Sequence, residues 1–391
     1  MYFGPRRRRS RWPWVLVLLV ALATGGWYIY KKQPPAAMRL VAQVLKKIPA
    51  ESLPADLKPK PTETPTVHVI TAAEYLAEGD RLFQAGRMGE AALQYQKAAQ
   101  AEPRHARAHA LAALALILRG NRQEALQEAR KAVEIDAQSA ENQAILGMVL
   151  DWNDQANEAV LTCLRAVELD PNSAMAHAFL AEAYMDTDRP VRGLEAAQKA
   201  LSLAPDSLWA RRTMGYVYEK QGNYQRAIEE YQKALSGYPN MTFLYLAIGR
   251  NYVALQRFSE AIEQFQKAAN LDPTDPQAYD QMGWAYYVQK DYERATVLLN
   301  KAVEVDPKYA PAFGHLGVVY YVQRNYEEAI EWLTKAVENG LPRVEYYYEL
   351  GLSYVYLDDC DNAEPWLKKA LELDPNCEVA KKGLAQCGVA S

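Results

Sequence analysis

Apolar and polar positions follow two regimes along this chain. From residue 72 to residue 377 the apolar columns return every 34 residues, with polar and charged residues between them, and nine units tile the stretch without a gap. The eighth column reads Gly79, Ala113, Gly147, Ala181, Gly215, Gly249, Gly283, Gly317 and Gly351; the twenty-seventh is alanine in all nine units. Large residues stand between these columns. The eleventh holds Tyr184, Tyr218, Tyr252, Tyr286, Tyr320 and Tyr354, and the twenty-fourth holds Tyr95, Tyr231, Phe265, Leu299, Leu333 and Leu367. Small residues facing large ones let two helices interdigitate at interior density, so each unit is expected to be a pair of helices. Prolines 103, 171, 205, 239, 273, 307 and 375 share the period. Asp170, Asp272, Asp306 and Asp374 each precede one of them, which predicts a capping carboxylate ahead of a proline in the first helical turn. Gly86, Gly120 and Gly222, near the fifteenth column, are expected to turn the chain between the two helices of a unit.

This pattern resembles the tetratricopeptide repeat family over 306 of the 391 residues. The family succession of a large residue, Leu-Gly, Tyr, Ala, an aromatic, Ala and Pro is nearly complete in YLAIGRNYVALQRFSEAIEQFQKAANLDP, residues 245–273. Ala129, Cys163 and Ala197 depart from it at the twenty-fourth column, which leaves packing in repeats 2 to 4 an open question. The resemblance implies an all-α fold, a right-handed α-solenoid of nine helix-turn-helix repeats. These are 72–105, 106–139, 140–173, 174–207, 208–241, 242–275, 276–309, 310–343 and 344–377, and residues 378–391 follow as a C-terminal capping helix.

The second regime lies before the repeats. Residues 1–11 carry Arg6, Arg7, Arg8, Arg9 and Arg11; residues 12–30 carry no charge and have Trp and Tyr at both ends. Nineteen such residues approach the length that crosses a bilayer core, with aromatics at the interfaces. The arginines before the span, against Lys31 and Lys32 after it, place the N-terminus in the cytoplasm and the repeats outside. A cleaved signal peptide is the competing reading, with Ala21-Leu22-Ala23 as its cleavage pattern, and would leave the repeats secreted; a cytoplasm-facing array is the reverse topology. Residues 33–71 form a proline-rich linker. Within it Met38, Val41, Leu45 and Ile48 share one helical face, suited to a membrane surface or to packing on the first repeat.

Composition narrows the function. A formal net charge of −4 gives no sign of nucleic-acid binding. No nucleophile elbow, phosphate loop or His-Glu-x-x-His motif occurs, so no catalytic residue, cofactor, metal or small-molecule substrate is expected. His105 and His109 lack a third ligand, and His109 and His177 fall in a column that the family usually buries. The acidic residues are expected on solvated outer faces.

In the family the first helix of each unit lines a concave groove. Its inward columns here carry Met148, Trp152, Trp209, Arg212, Tyr216, Phe243, Arg250, Trp284, Tyr287 and Tyr321. So apolar a set suits partner protein segments; contact with the neighbouring repeat is the plainer alternative. Arg212 and Arg250 are positioned to fork a carboxylate, or else to bridge Asp280 or Glu219. The expectation is a non-catalytic membrane-anchored scaffold or adaptor that assists assembly of a membrane or envelope complex. A self-assembling structural module and a regulatory subunit of a membrane enzyme are the alternatives. If the capping helix packs as a next first helix, Cys360 and Cys387 approach each other and can pair outside the cytoplasm, with Cys377 left free.

Overall fold

The structure, a computed structural model, describes residues 70–340 and 343–389. The basic segment 1–11, the candidate span 12–30 with its cleavage pattern, and the linker up to residue 69 lie outside the described residues. No helix among the described residues is long and apolar enough to cross a membrane.

Nineteen helices and no strand are present among the described residues. Repeats 1 to 3 hold α1 (Ala72–Gln84) and α2 (Met88–Ala101), α3 (Ala106–Leu118) and α4 (Arg122–Ile135), α5 (Ala140–Asp151) and α6 (Ala156–Leu169). Repeats 4 to 6 hold α7 (Ala174–Asp186) and α8 (Pro190–Leu203), α9 (Leu208–Lys220) and α10 (Tyr224–Gly237), α11 (Thr242–Ala254) and α12 (Phe258–Leu271). Repeats 7 to 9 hold α13 (Pro276–Val288) and α14 (Tyr292–Val305), α15 (Ala310–Val322) and α16 (Tyr326–Glu338), α17 (Val344–Tyr356) and α18 (Cys360–Leu373). The final helix, α19 (Glu378–Gln386), packs on α17 and α18. The fold is an α-solenoid, each helix packing on its pair mate and each second helix on the first helix of the next pair.

The small and large columns meet inside each pair. A Cβ placed on Gly249 would lie 2.3 Å from the Phe265 ring, and one on Gly215 would lie 2.6 Å from the Tyr231 ring. The departures at the twenty-fourth column answer to the same rule. Where the eighth column gains a methyl, at Ala113 and Ala181, the twenty-fourth shrinks to Ala129 and Ala197, and all four are fully buried. Cys163 seats its sulfur against Gly147.

The turn inside every described pair passes through a left-handed residue at the fifteenth column. Gly86, Gly120 and Gly222 fill it at no steric cost, and Asp154, Asp188, Gln256, Lys290, Arg324 and Asp358 fill it elsewhere. The periodic aspartates have a different role from the expected one. Asp170, Asp272, Asp306 and Asp374 end the preceding helix, and each side chain accepts the backbone N–H two residues on. The proline thus lies in an Asx turn between repeats, ahead of the helix start. N-capping falls instead to Ser139, Ser173, Ser207 and Asp275.

The array also curls onto itself. The Asn240 side chain donates to the Gln84 carbonyl at 3.2 Å, and Gln277 donates to the Leu118 carbonyl at 3.1 Å. Arg119 donates to the Thr274 carbonyl. A Cβ at Gly86 would lie 2.0 Å from the Asn240 carbonyl oxygen, so both the turn and the approach require glycine there. The first helices of repeats 2 and 3 are covered on every side: residues 108–118 and 142–151 are all buried.

Candidate functional site

The ten inward-column residues divide along the array. Met148, Trp209, Arg212 and Phe243 are each less than a tenth exposed. Trp209 is held between Phe179, edge-on at 5.3 Å, and Phe243, stacked at 5.9 Å. Arg212 pairs with buried Glu182 and lies 4.9 Å over the Trp152 ring. Half-buried Tyr216 donates to Asp186 at 2.6 Å, and Lys220 pairs with the same carboxylate. The expected fork of Arg212 with Arg250 does not assemble, because Glu182 takes the first while the second is exposed. Neither Asp280 nor Glu219 takes up Arg212: Asp280 accepts from His315 at 2.6 Å, and Glu219 from Tyr231 and Asn251.

Acidic residues are not confined to outer faces. Asp151 is 6 % exposed and no donor reaches either oxygen. Burial, then the charges of Asp186 and Glu182, push its carboxyl up to about 8; in its protonated form it can donate to Asp186. Asp275, the cap of α13, is buried and raised to about 7 mainly by desolvation, against the hydrogen bond from Gln277. His105, His109 and His177 make local structural contacts. His105 accepts from the Ala108 N–H, His109 bridges Glu128 and the Pro103 carbonyl, and His177 meets the Pro171 carbonyl. Among the described residues no group of three His, Cys, Asp or Glu side chains could hold a metal ion.

The remaining candidates border open space. Arg250, Trp284 and Tyr287 line a cavity of about 630 Å³ together with Asp280, His315, Arg343, Tyr346 and Glu349, from first helices of repeats 6 to 9 and the loop before α17. Trp284 stacks on Tyr287 at 4.5 Å and on His315 at 4.4 Å, a continuous row of rings. Tyr321, half-buried, continues the aromatic surface toward Tyr326 and Tyr356. Glu349 is 9 % exposed, and its Oε2 has no hydrogen-bond partner. Desolvation, then Glu345, raise its carboxyl to about 8. Glu349 and His315 belong to the sixth column, outside the inward columns read from the sequence. A signal was there: that column is Leu111, Ile145 and Phe179 in repeats 2 to 4 but Gln281, His315 and Glu349 in repeats 7 to 9.

At the other end, Cys360 and Cys387 form a disulfide, with Cα atoms 5.4 Å apart. It ties the start of α18 to the end of α19. Cys163 and Cys377 are free and buried.

Comparison with known proteins agrees with this architecture. The family model described as the cilia and flagella-associated protein 70 C-terminal domain matches residues 172–391, and a tetratricopeptide repeat model matches residues 76–140. No curated protein matches the chain. Among solved structures, the APC/C hetero-tetramer Cut9–Hcn1 aligns with a TM-score of 0.55 at 18 % identity, over 82 % of this chain and 67 % of that one. The human IFIT1 dimer with PPP-AAAA aligns with a TM-score of 0.51 at 19 % identity, over 77 % of this chain and 82 % of that one. These likenesses bear on the fold alone. By its family match the chain belongs to the cilia and flagella-associated protein 70 C-terminal domain family.

Proposed function

We propose that this tetratricopeptide-repeat member of that family is a non-catalytic scaffold that holds partner protein segments in the open groove of repeats 6 to 9. The supporting observation is the contrast within one array. On the inner columns of repeats 3 to 5 Met148, Trp209 and Arg212 are buried and half-buried Trp152 and Tyr216 are engaged by Arg212 and Asp186, whereas Trp284 and Tyr287, half-buried like Tyr321, line a cavity of about 630 Å³. Rigid aromatic rings supply large contact area at small entropic cost. The same reading makes the scaffold membrane-anchored, through residues 12–30, with the repeats outside the cytoplasm. The arginine asymmetry supports that orientation, and the Cys360–Cys387 disulfide suits an oxidising compartment. Assistance in assembling a membrane or envelope complex is the role that the repeat-family resemblance suggests for a scaffold anchored in this way. The human IFIT1 structure is named with PPP-AAAA, but a nucleic-acid role fits this chain poorly: its net charge is −4, and its groove sets Asp280, Glu345 and Glu349 against Arg250 and Arg343 with no basic surplus.

The test pairs topology with capture. A reporter fused after Ser391, active on one side of the membrane only, is expected to signal outside; an inside signal overturns the orientation. Crosslinking capture on that side is then compared for wild type and Trp284→Ala plus Tyr287→Ala. Loss of a stoichiometric partner by a variant that keeps its melting temperature within a few degrees supports the groove. Retention of every partner by that variant rejects it.

A further inference from the structure

The groove contains one group whose chemistry is unfinished. Glu349 projects from α17 into the cavity wall, nine-tenths buried, with one carboxyl oxygen shielded from water and bonded to nothing. Its titratable neighbours are Tyr287 on α13, Tyr321 on α15, and Glu345, Tyr346 and Tyr348 on its own helix. None of them is a cation. Asp280, the other buried carboxylate of the cavity, is already held by His315. Arg250 and Arg343 line the cavity but are exposed, and Arg343 is stacked 5.8 Å over Tyr346. A desolvated, unpaired carboxyl in a cavity walled by aromatic side chains is complementary to a compact cation on an apolar stem, the carboxylate meeting the charge and the rings covering the stem.

We propose that this groove recognises a lysine ammonium of the partner segment, with Glu349 as its counter-ion and Trp284, Tyr287 and Tyr321 as the aromatic wall. The proposal rests on the groove reading above and adds the chemistry of its occupant. A lysine suits the site better than an arginine because a point charge on a long apolar stem can reach a single buried oxygen past stacked rings. It also carries a pH signature. Glu349 must give up its proton to become a counter-ion, so apparent affinity for an amine rises about tenfold per pH unit from pH 6 to 7 and levels off above about 8.

The probe is butylammonium chloride, with n-butanol as its neutral counterpart, titrated into the full chain labelled with 5-fluorotryptophan. The Trp284 fluorine resonance is assigned through Trp284→Phe. A saturable shift with butylammonium that strengthens at least tenfold between pH 6 and 8.5, is absent with butanol, and is lost in Glu349→Gln but kept in Glu345→Gln, is expected. No saturable shift at pH 8.5, or a shift that survives Glu349→Gln, overturns the proposal. The wild-type pH series decides the matter even if Glu349→Gln folds poorly: affinity independent of pH overturns it as well. A second arm selects displayed peptides against the same chain. Peptides that need Trp284 and Tyr287 and lose at least tenfold in affinity when lysine becomes norleucine support the proposal. Peptides that need those rings but no cation overturn it and leave the groove reading standing. Ammonium binding without any groove-dependent peptide keeps the cation site and removes the scaffold reading instead.

Discussion

A methyl group added at Gly249 would sit 2.3 Å from Cε1 of Phe265, inside any real carbon–carbon contact. The α11 and α12 backbones are that close because the eighth column has no side chain. Gly249→Ala is therefore expected to cost about 1–3 kcal/mol through overpacking. The repeats themselves indicate the rescue. Ala113 stands opposite Ala129 and Ala181 opposite Ala197, so a methyl in the eighth column is tolerated where the twenty-fourth is small. Phe265→Ala alone should destabilise by leaving a void, but combined with Gly249→Ala, the pairing that repeats 2 and 4 use, it should recover part of the loss. Denaturant melts of the two single variants and the double form a cycle; strict additivity would show that the two columns do not interlock. The columns themselves were legible in the sequence, because a 34-residue period exposes small and large positions directly. Their compensation is a property of pairs of columns, and it becomes physical only once Gly147 is seen against Cys163 and Gly249 against Phe265.

At the scale of elements, the end of the array is where cooperativity is weakest, since a terminal helix has one neighbour fewer than the others. Helix α19 is short, and its buried residues are few: Ala380, Gly383 and Leu384. The Cys360–Cys387 disulfide closes a loop of separation 27 around it, a constraint worth about 3–4 kcal/mol on chain-entropy grounds. Cys360→Ser with Cys387→Ser should speed amide exchange across residues 378–387 while leaving α1 and α2 unchanged. Intact mass after alkylation of the unfolded, unreduced protein should show two labels, at Cys163 and Cys377. Four labels would mean the pair is not bonded. The helices were readable from periodicity, yet the aspartate–proline junctions were misassigned. Asp-x-x before an apolar run fits an N-cap and an Asx turn equally well, and the choice depends on where the preceding helix stops. At Asp272 it stops on the aspartate itself, whose side chain then accepts from the Thr274 N–H and hydroxyl.

Across the whole array, the chain also curls onto itself. The contacts that make the curl join residues 155, 156 and 159 apart, which no 34-residue register reveals. Nor does the register distinguish Trp209, buried between Phe179 and Phe243, from Trp284, which borders open space, although both occupy inward columns. The curl accompanies a second property that a solvated-face reading of acidic residues missed. Asp151, Asp275 and Glu349 lie in three different repeats or junctions, each less than a tenth exposed. Burial raises them to about 8, 7 and 8 from ordinary carboxylate values. Their folded-state pKa values exceed the unfolded ones, so the folded chain binds more protons between about pH 4.5 and 8. Their contribution to stability is complete below that window and is lost as pH rises through it, by about 1.4 kcal/mol per group and pH unit. The melting temperature should therefore fall from pH 6 to pH 8.5, against the behaviour of a chain whose carboxylates are mostly paired at the surface. The combination Asp151→Asn, Asp275→Asn and Glu349→Gln keeps the shapes and removes the titration, and should flatten the slope. A wild-type melting temperature that is level or rises over that range would mean these carboxyls are already ionised in the fold.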